Sequence, residues 1–157
     1  MSEPFGTDAN ALKMIIIDDD LDYCEVMKEI VELFGHTLEI TNTFKDAKEK
    51  IKEAEENHDP YAIAIIDMNL GARGESRRGK EIIEYITLRH PYIGCILVSG
   101  IPDIDVLELR DRYKLDDYIA KHRFDIDRSH EAIRKARERA AARSNMPKKI
   151  ARKPPNQ

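Results

Sequence analysis

The sequence predicts an α/β fold in which helices cover both faces of a parallel β-sheet. Along 157 residues, five short apolar runs alternate with segments of helical spacing, which is typical of parallel strands joined by helical crossovers. Residues 62–66 are apolar at every position, and this indicates a strand buried on both faces. An acid, a hydroxyl or a lysine directly follows several strands, so polar side chains gather at one edge of the sheet.

The first strand is predicted at residues 13–17 and runs into the three acids at 18–20. Helical spacing of apolar residues begins at Leu21, with Asp20 as the expected N-cap and Gly35 as the expected C-cap. Strand, acidic turn and helix therefore follow one another.

The second and third strands are predicted at residues 36–41 and 62–66. Between them lies a charged, amphipathic helix, whose apolar face consists of Phe44, Ala47, Ile51 and Ala54. The third strand ends at Asp67, ahead of a stretch rich in glycine and arginine. An acid at the carboxyl end of a buried strand is better placed for chemistry than for packing.

The same alternation continues in the second half of the chain. A third helix is predicted at residues 79–89, followed by a fourth strand at 93–98 that stops at Ser99. Helical spacing at residues 102–115 permits a fourth helix.

A short fifth strand is predicted at residues 118–120 and leads directly to Lys121. The last helix is expected to begin at about Ser129 and to end before Asn145. The chain contains no internal repeat and no second core, so residues 13–143 are expected to form one domain.

The two ends of the chain differ in composition from this domain. Residues 1–12 are polar and are expected to form a disordered lead-in. The segment 144–157 is basic, contains proline and has no periodicity, so a disordered tail is expected there. The tail has no aromatic residue for base stacking, which leaves little support for nucleic-acid binding.

The composition argues against several classes of protein. No apolar run is long enough to span a membrane, and residues 1–10 lack the regions of a signal peptide, so a cytoplasmic location is expected. The only two cysteines, Cys24 and Cys95, form neither a metal-binding pattern nor a disulfide framework. Both are expected in the core.

Five polar side chains are expected to converge at the carboxyl edge of the sheet, namely Asp18, Asp19, Asp67, Ser99 and Lys121. Neighbouring carboxylates repel one another unless a cation neutralises them, and a hard oxygen site with few protein ligands suits Mg²⁺. A phosphoryl group is the natural reactant, since the lysine, the hydroxyl and the metal can each contact one of its oxygens. A carboxylate then remains as the nucleophile.

Four strand-end segments carry a family resemblance. They are residues 15–20 (IIIDDD), 65–69 (IIDMN), 96–100 (ILVSG) and 115–121 (LDDYIAK). In this order and spacing they resemble the receiver domain of two-component response regulators, the CheY-like superfamily, in its stand-alone type. The resemblance implies a flavodoxin-like, doubly wound sheet of five parallel strands in the order 2-1-3-4-5.

The resemblance also implies a role for each matching acid. Asp67 would accept a phosphoryl group from a histidine kinase or a histidine phosphotransfer protein, with Mg²⁺ as cofactor. Asp19 and Asp67 would bind the metal directly, Asp18 through a water molecule, and Asn69 through its backbone carbonyl. Such a protein is a signalling receiver rather than an enzyme, because it catalyses only its own phosphorylation and dephosphorylation.

Three further residues receive roles from the same resemblance. Ser99 and Lys121 would contact the phosphoryl group, and Ser99 with Tyr118 would form the switch whose rearrangement accompanies activation. Phosphorylation would change the surface offered to a downstream protein, which the sequence does not identify. The family implies a monomer or a homodimer.

Among the departures from the family pattern, two concern the segments that follow Asp67 and Lys121. A longer, basic loop at residues 72–78 replaces a short one, which bears on the access of a kinase and on the lifetime of the phosphate. The Lys-Pro pair of the family is Lys121-His122 here. Because a cis bond without proline costs about 2.5 to 4 kcal/mol, the expectation is either a trans bond with a shifted loop or a strained bond.

Two other functions fit parts of the sequence. Asp18 and Asp20, with Ser99 and Lys121, also resemble the first motifs of haloacid dehalogenase-like phosphatases, in which Asp18 would be the nucleophile and Asp20 the acid/base. That interpretation leaves Asp67 without a role. The other alternative is a receiver-like scaffold that is never phosphorylated, although this sequence keeps the acids that such domains usually lose.

Overall fold

The computed structural model describes residues 11–68, 78–100, 115–123 and 125–144. Within them, five parallel strands form one sheet in the order β2-β1-β3-β4-β5. The predicted fold class and strand order are confirmed. The strands are β1 Lys13–Ile17, β2 Thr37–Thr41, β3 Ile63–Asp67, β4 Gly94–Ser99 and β5 Asp117–Ala120.

Four α-helices lie among the described residues, and they are separated along the chain by strands. They are α1 Leu21–Leu33, α2 Phe44–Glu56, α3 Arg78–Arg89 and α4 Ile126–Ser144. A turn of 3₁₀ helix, Lys121–Arg123, directly follows β5. None of the helices in the described part of the chain has the length and apolar character needed to cross a membrane.

The central strands β1, β3 and β4 are buried on both faces because alternate side chains enter two separate cores. In β1, Ile15 and Ile17 pack with α2 and α3, whereas Met14 and Ile16 pack with α1 and α4. All four side chains are fully buried. This arrangement explains why the central strands are apolar at consecutive positions rather than at alternate ones.

The strand register brings the carboxyl ends of the central strands together. Ile17, the last residue of β1, pairs with Ile66 of β3, and Asp67 pairs with Val98 of β4. The residues that follow these pairs therefore lie at one edge of the sheet.

The last helix begins earlier than predicted. It starts at Ile126 rather than at about Ser129, because the Asp125 carboxylate accepts a hydrogen bond from the Arg128 N–H (2.7 Å) and caps the helix. The other predicted boundaries differ by about one residue, for example at β2, which begins at Thr37.

The predicted ends of α1 are close to the observed ones. Asp20 is the N-cap and accepts from the Tyr23 N–H at 3.2 Å. The C-cap is Phe34, one residue before the predicted Gly35, which has a φ of 86° that favours glycine. Cys24 and Cys95 are free and buried, as predicted.

No peptide bond among the described residues is cis, so the Lys121–His122 bond is trans. This is the first of the two expected forms, and the chain continues from it into the 3₁₀ turn. The helix predicted at 102–115 lies outside the described residues except for Leu115, as do most of the lead-in and all but Ser144 of the tail.

Candidate functional site

Two buried carboxylates form the base of the site at the carboxyl ends of β1 and β3. Asp67 is the last residue of β3 and 4% exposed, and Asp18 directly follows β1 and is 1% exposed. The Asp18 N–H donates to the Thr41 carbonyl (3.0 Å), and Asp18 Oδ1 accepts from the Asp20 N–H (2.9 Å). These hydrogen bonds fix both the backbone and the carboxylate of Asp18.

Asp18, Asp19 and Asp67 together form a candidate metal centre. One carboxylate oxygen from each residue lies within 4.8 Å of the other two, and Asp19 is exposed to solvent. Carboxylate oxygens are the hard ligands that Mg²⁺ prefers, and an exposed side leaves room for the water molecules that Mg²⁺ keeps. The three residues therefore fit the predicted metal.

Lys121 brings a positive charge to these carboxylates. Its Nζ lies 2.8 Å from Asp18 Oδ2 and 3.8 Å from the nearest oxygens of Asp67 and Asp20. Burial alone would lower the pKa of Lys121, but the hydrogen bond to Asp18 and the charges of all three acids raise it above its usual value. The ammonium is therefore charged at neutral pH and balances part of the negative charge.

The first turn of α3 packs directly against the backbone of Asp67. A Cβ at Gly79 would lie 2.3 Å from the Asp67 carbonyl oxygen and 2.8 Å from the Met68 Cα. Only a residue without a side chain permits this approach. Gly79 therefore lets α3 support the end of β3, where the central carboxylate lies.

Ser99 and Tyr118 meet at the neighbouring ends of β4 and β5. Ser99 is the last residue of β4 and fully buried, and its hydroxyl is hydrogen-bonded to the Tyr118 side chain. Burial raises the pKa of Tyr118, and the hydrogen bond with Ser99 offsets only part of that rise. The two residues predicted as a switch are thus in contact.

Tyr23 belongs to the site, although the sequence pattern indicated only a core position on α1. Its ring centroid lies 4.9 Å from Lys121 Nζ, within the range of a cation–π contact. The sequence offered one indication that Tyr23 lies near the site. It is in the first turn of a helix that begins at the carboxyl end of β1. Which way the ring points depends on the packing of α1.

Most of the predicted site residues meet at this edge of the sheet. Asn69, predicted to offer its carbonyl to the metal, lies outside the described residues, as does nearly all of the loop at 72–78. Asp20, predicted from the sequence pattern as the N-cap of the first helix, also lies near the lysine. The predicted residues found at this edge are Asp18, Asp19, Asp67, Ser99, Tyr118 and Lys121.

No family model matches this chain. Among solved structures, it is similar to a CheY-like response regulator receiver domain protein from Methanospirillum hungatei JF-1. The TM-score is 0.69 and the identity 22%, covering 85% of this chain and 99% of that one. It is also similar to the signal receiver domain of an HD domain-containing protein from Pseudomonas fluorescens Pf-5, with a TM-score of 0.71 and 15% identity, covering 90% of this chain and 97% of that one.

A third similar structure is NtrX from Brucella abortus in complex with ADP. The TM-score is 0.69 and the identity 21%, and the match covers 85% of this chain. This chain spans only 28% of the NtrX chain, so the similarity concerns one part of that protein. What the chain shares with these structures is the fold, which is that of response regulator receiver domains.

Proposed function

We propose that this chain is a receiver in phosphorelay signalling and that Asp67 accepts a phosphoryl group from a phosphohistidine. The observation that carries the proposal is the position of the Asp67 carboxylate. It is almost fully buried at the end of central strand β3, among two further acids and an ammonium. A packing role does not account for so many ionisable groups at one place.

The transfer is a displacement at phosphorus. A carboxylate oxygen of Asp67 forms a bond to the phosphorus atom as the phosphorus–nitrogen bond to the imidazole breaks, and the electron pair stays on the departing nitrogen. Lys121, 3.8 Å from Asp67 Oδ2, is near enough to neutralise a phosphoryl oxygen. The hydroxyl of Ser99 hydrogen-bonds another of these oxygens.

The acids that surround Asp67 make Mg²⁺ the fitting cofactor. Asp19 and Asp67 would hold the metal directly, Asp18 through water, and Asn69 through its carbonyl. When bound, the ion supplies positive charge that lowers the repulsion between these carboxylates and an incoming phosphoryl group. The buried carboxylates of Asp18 and Asp67 are held in place by their strands before the metal or a phosphoryl group binds.

The proposed output is a change of surface read by a partner protein. A phosphoryl group that hydrogen-bonds Ser99 competes with the present contact between Ser99 and Tyr118. The half-buried phenol then takes a different position on β5, and the surface there changes. In this proposal residues 13–143 form the receiver domain, which works in the cytoplasm between a histidine kinase or phosphotransfer protein and a downstream protein.

Labelling with a small phosphodonor tests the proposal. Incubation with Mg²⁺ and acetyl phosphate should add one phosphoryl group to Asp67, identified by trapping the acyl phosphate and mapping the peptide. Asp67→Asn should abolish the label, whereas Asp22→Asn, which changes an exposed acid of α1, should leave it unchanged. Label on Asp18 would support the phosphatase alternative, and no label on a folded protein would support the scaffold.

A further inference from the structure

We propose that Tyr23 is a positioning residue of this site and that the face of its ring holds the Lys121 ammonium beside Asp67. This inference rests on the proposed function and concerns a residue outside the acids, hydroxyl and lysine already described. Tyr23 would not touch the phosphoryl group. It would act through the lysine.

The geometry of α1 fixes the ring under the lysine. Tyr23 is 6% exposed and lies in the first turn of α1, where its N–H donates to the Asp20 cap at 3.2 Å. The ring centroid is 4.9 Å from Lys121 Nζ. A cation over an aromatic face at this distance is attracted by the negative face of the ring, most strongly where water is excluded.

The charges around Tyr23 keep its side chain neutral. Burial, followed by the charges of Asp18 and Asp67, raises the pKa of the phenol well above its usual value. The ring therefore carries no negative charge at neutral pH, and it attracts the ammonium only through its face. A ring without charge holds the lysine without forming an ion pair that would compete with a phosphoryl oxygen.

Lys121 needs a contact with an uncharged ring because each acid near its ammonium has a second role. The ammonium also lies near Asp18, Asp20 and Asp67, and two of these acids would hold Mg²⁺ while the third caps α1. The attraction of Asp18 and Asp67 for the lysine weakens when they engage the metal or a phosphoryl group. The contact with the ring of Tyr23 does not depend on the charge of these acids, so it continues to hold the Lys121 ammonium when they engage the metal or a phosphoryl group.

Core packing is the competing explanation, because Tyr23 also belongs to the core under α1 and α4. The two explanations differ in what they predict for the lysine. Packing alone makes the effect of a substitution independent of residue 121. Positioning makes it vanish when the lysine is absent.

The first test measures the rate of labelling by acetyl phosphate in five proteins: wild type, Tyr23→Phe, Tyr23→Met, Lys121→Met and the double variant Tyr23→Met/Lys121→Met. Phe keeps the ring, and the rate should stay within about twofold of wild type. Met keeps an apolar side chain of similar length without a ring, and the rate should fall about threefold to tenfold. Adding Tyr23→Met to Lys121→Met should change the rate no further.

The second test does not depend on phosphorylation. An aromatic ring shifts the resonances of protons above its face upfield, so the Lys121 ε-protons should be shifted upfield in wild type and in Tyr23→Phe, with and without Mg²⁺. They should return to ordinary values in Tyr23→Met. Loss of the shift when Mg²⁺ is added to wild type would overturn the proposal.

The outcomes separate this inference from the proposed function. If wild type is labelled on Asp67 but Tyr23→Met is labelled equally fast, or is slowed equally with and without Lys121, only the role of Tyr23 is wrong. If wild type is not labelled on Asp67, both proposals are wrong. If Tyr23→Met fails to fold, Tyr23→Leu replaces it in both tests.

Discussion

Single side chains at the two edges of the sheet depend on their neighbours for their charge. At the carboxyl edge, Lys121 remains an ammonium because acids surround it. His36, just beyond the C-terminal end of α1, is instead held in its neutral form. Its Nδ1 accepts a hydrogen bond from the Leu12 N–H at 3.0 Å. An imidazole that accepts through Nδ1 must be neutral there.

We predict that protonation of His36 destabilises the protein. Burial, then the charges of Arg137 and His130, lowers the pKa of His36 below its ordinary value of 6.5. The unfolded chain therefore takes up this proton more readily, and the His36 contribution to stability, complete above about pH 6.5, is lost as the pH falls towards the folded pKa.

Urea denaturation of wild type and His36→Asn at several pH values tests this prediction. Asn keeps an acceptor near the position of Nδ1 but does not titrate, so the variant should lose less stability than wild type between about pH 7.5 and about pH 5. His58→Asn, at an exposed turn residue with a φ of 60° that Asn accepts, is the control. Parallel pH profiles for wild type and His36→Asn would contradict the prediction.

Helix α4 lies directly on β4, and the two elements approach each other closely at Gly94. A Cβ at Gly94 would meet the Ala136 carbonyl oxygen at 2.7 Å and the Ala136 Cβ at 3.1 Å. The helix backbone cannot move away from the strand without opening the core that both elements share.

Gly94→Ala should therefore lower the free energy of unfolding by about 1 to 3 kcal/mol, as overpacking does in well-filled cores. The matched control is Gly100→Ala, because a Cβ at Gly100 would meet no atom of the described residues within 4 Å. Thermal and urea unfolding of both variants measure the difference. Equal stability of the two variants would show that α4 shifts on β4 at no cost.

The C-terminal end of α4 is held by an ion pair at the start of β5. Asp116 is 2% exposed and accepts from two nitrogens of Arg143 (2.7 and 3.1 Å) and from the Cys95 N–H (2.8 Å). Loss of the arginine leaves this buried carboxylate without its cation, which is more costly than the loss of an exposed pair.

Arg143→Met should lower the free energy of unfolding by about 2 to 4 kcal/mol, somewhat less than for a fully buried pair, because the arginine is partly exposed. Arg134→Met removes the exposed pair with Glu138 on the same helix and should cost less than about 0.5 kcal/mol. Urea unfolding at neutral pH compares the two. Similar losses in both variants would contradict the buried character of the Asp116 pair.

At the scale of the whole molecule, the site exists only when the sheet is assembled. The acids come from the ends of β1 and β3, and the ammonium follows β5. These groups are far apart along the sequence, and the unfolded chain does not bring them together. A ligand of the cluster therefore stabilises the native state as a whole.

We predict that Mg²⁺ raises the unfolding midpoint of the entire domain. At about a hundredfold excess over its dissociation constant, the gain should be about 2.7 kcal/mol. Asp19→Asn should remove most of the gain and little of the basal stability, because Asp19 is exposed. Calorimetry of both proteins with increasing Mg²⁺ tests this, and a wild-type midpoint that does not move through the millimolar range would contradict it.

The strands and most helices could be predicted from the sequence because they depend on local patterns of apolar residues. Five apolar runs and the spacing of Ala47, Ile51 and Ala54 gave the strands and α2. The start of α4 was missed because Asp125, an ordinary acid in the sequence, acts as its cap. The contact of Tyr23 with Lys121 could not be read at all, since the two residues are far apart in sequence and meet only after α1 and β5 pack.

The sequence by itself determined the fold class, the order of the strands through its family resemblance, and the edge of the sheet where Asp67 lies. These follow from short-range periodicity and from the geometry of parallel strands, in which all carboxyl ends face the same way. The tertiary structure alone decided the distances within the site. Contacts such as those of Gly79 with Asp67, Tyr23 with Lys121 and Gly94 with Ala136 depend on how helices dock on the sheet, and docking is set by packing between distant segments rather than by any local pattern.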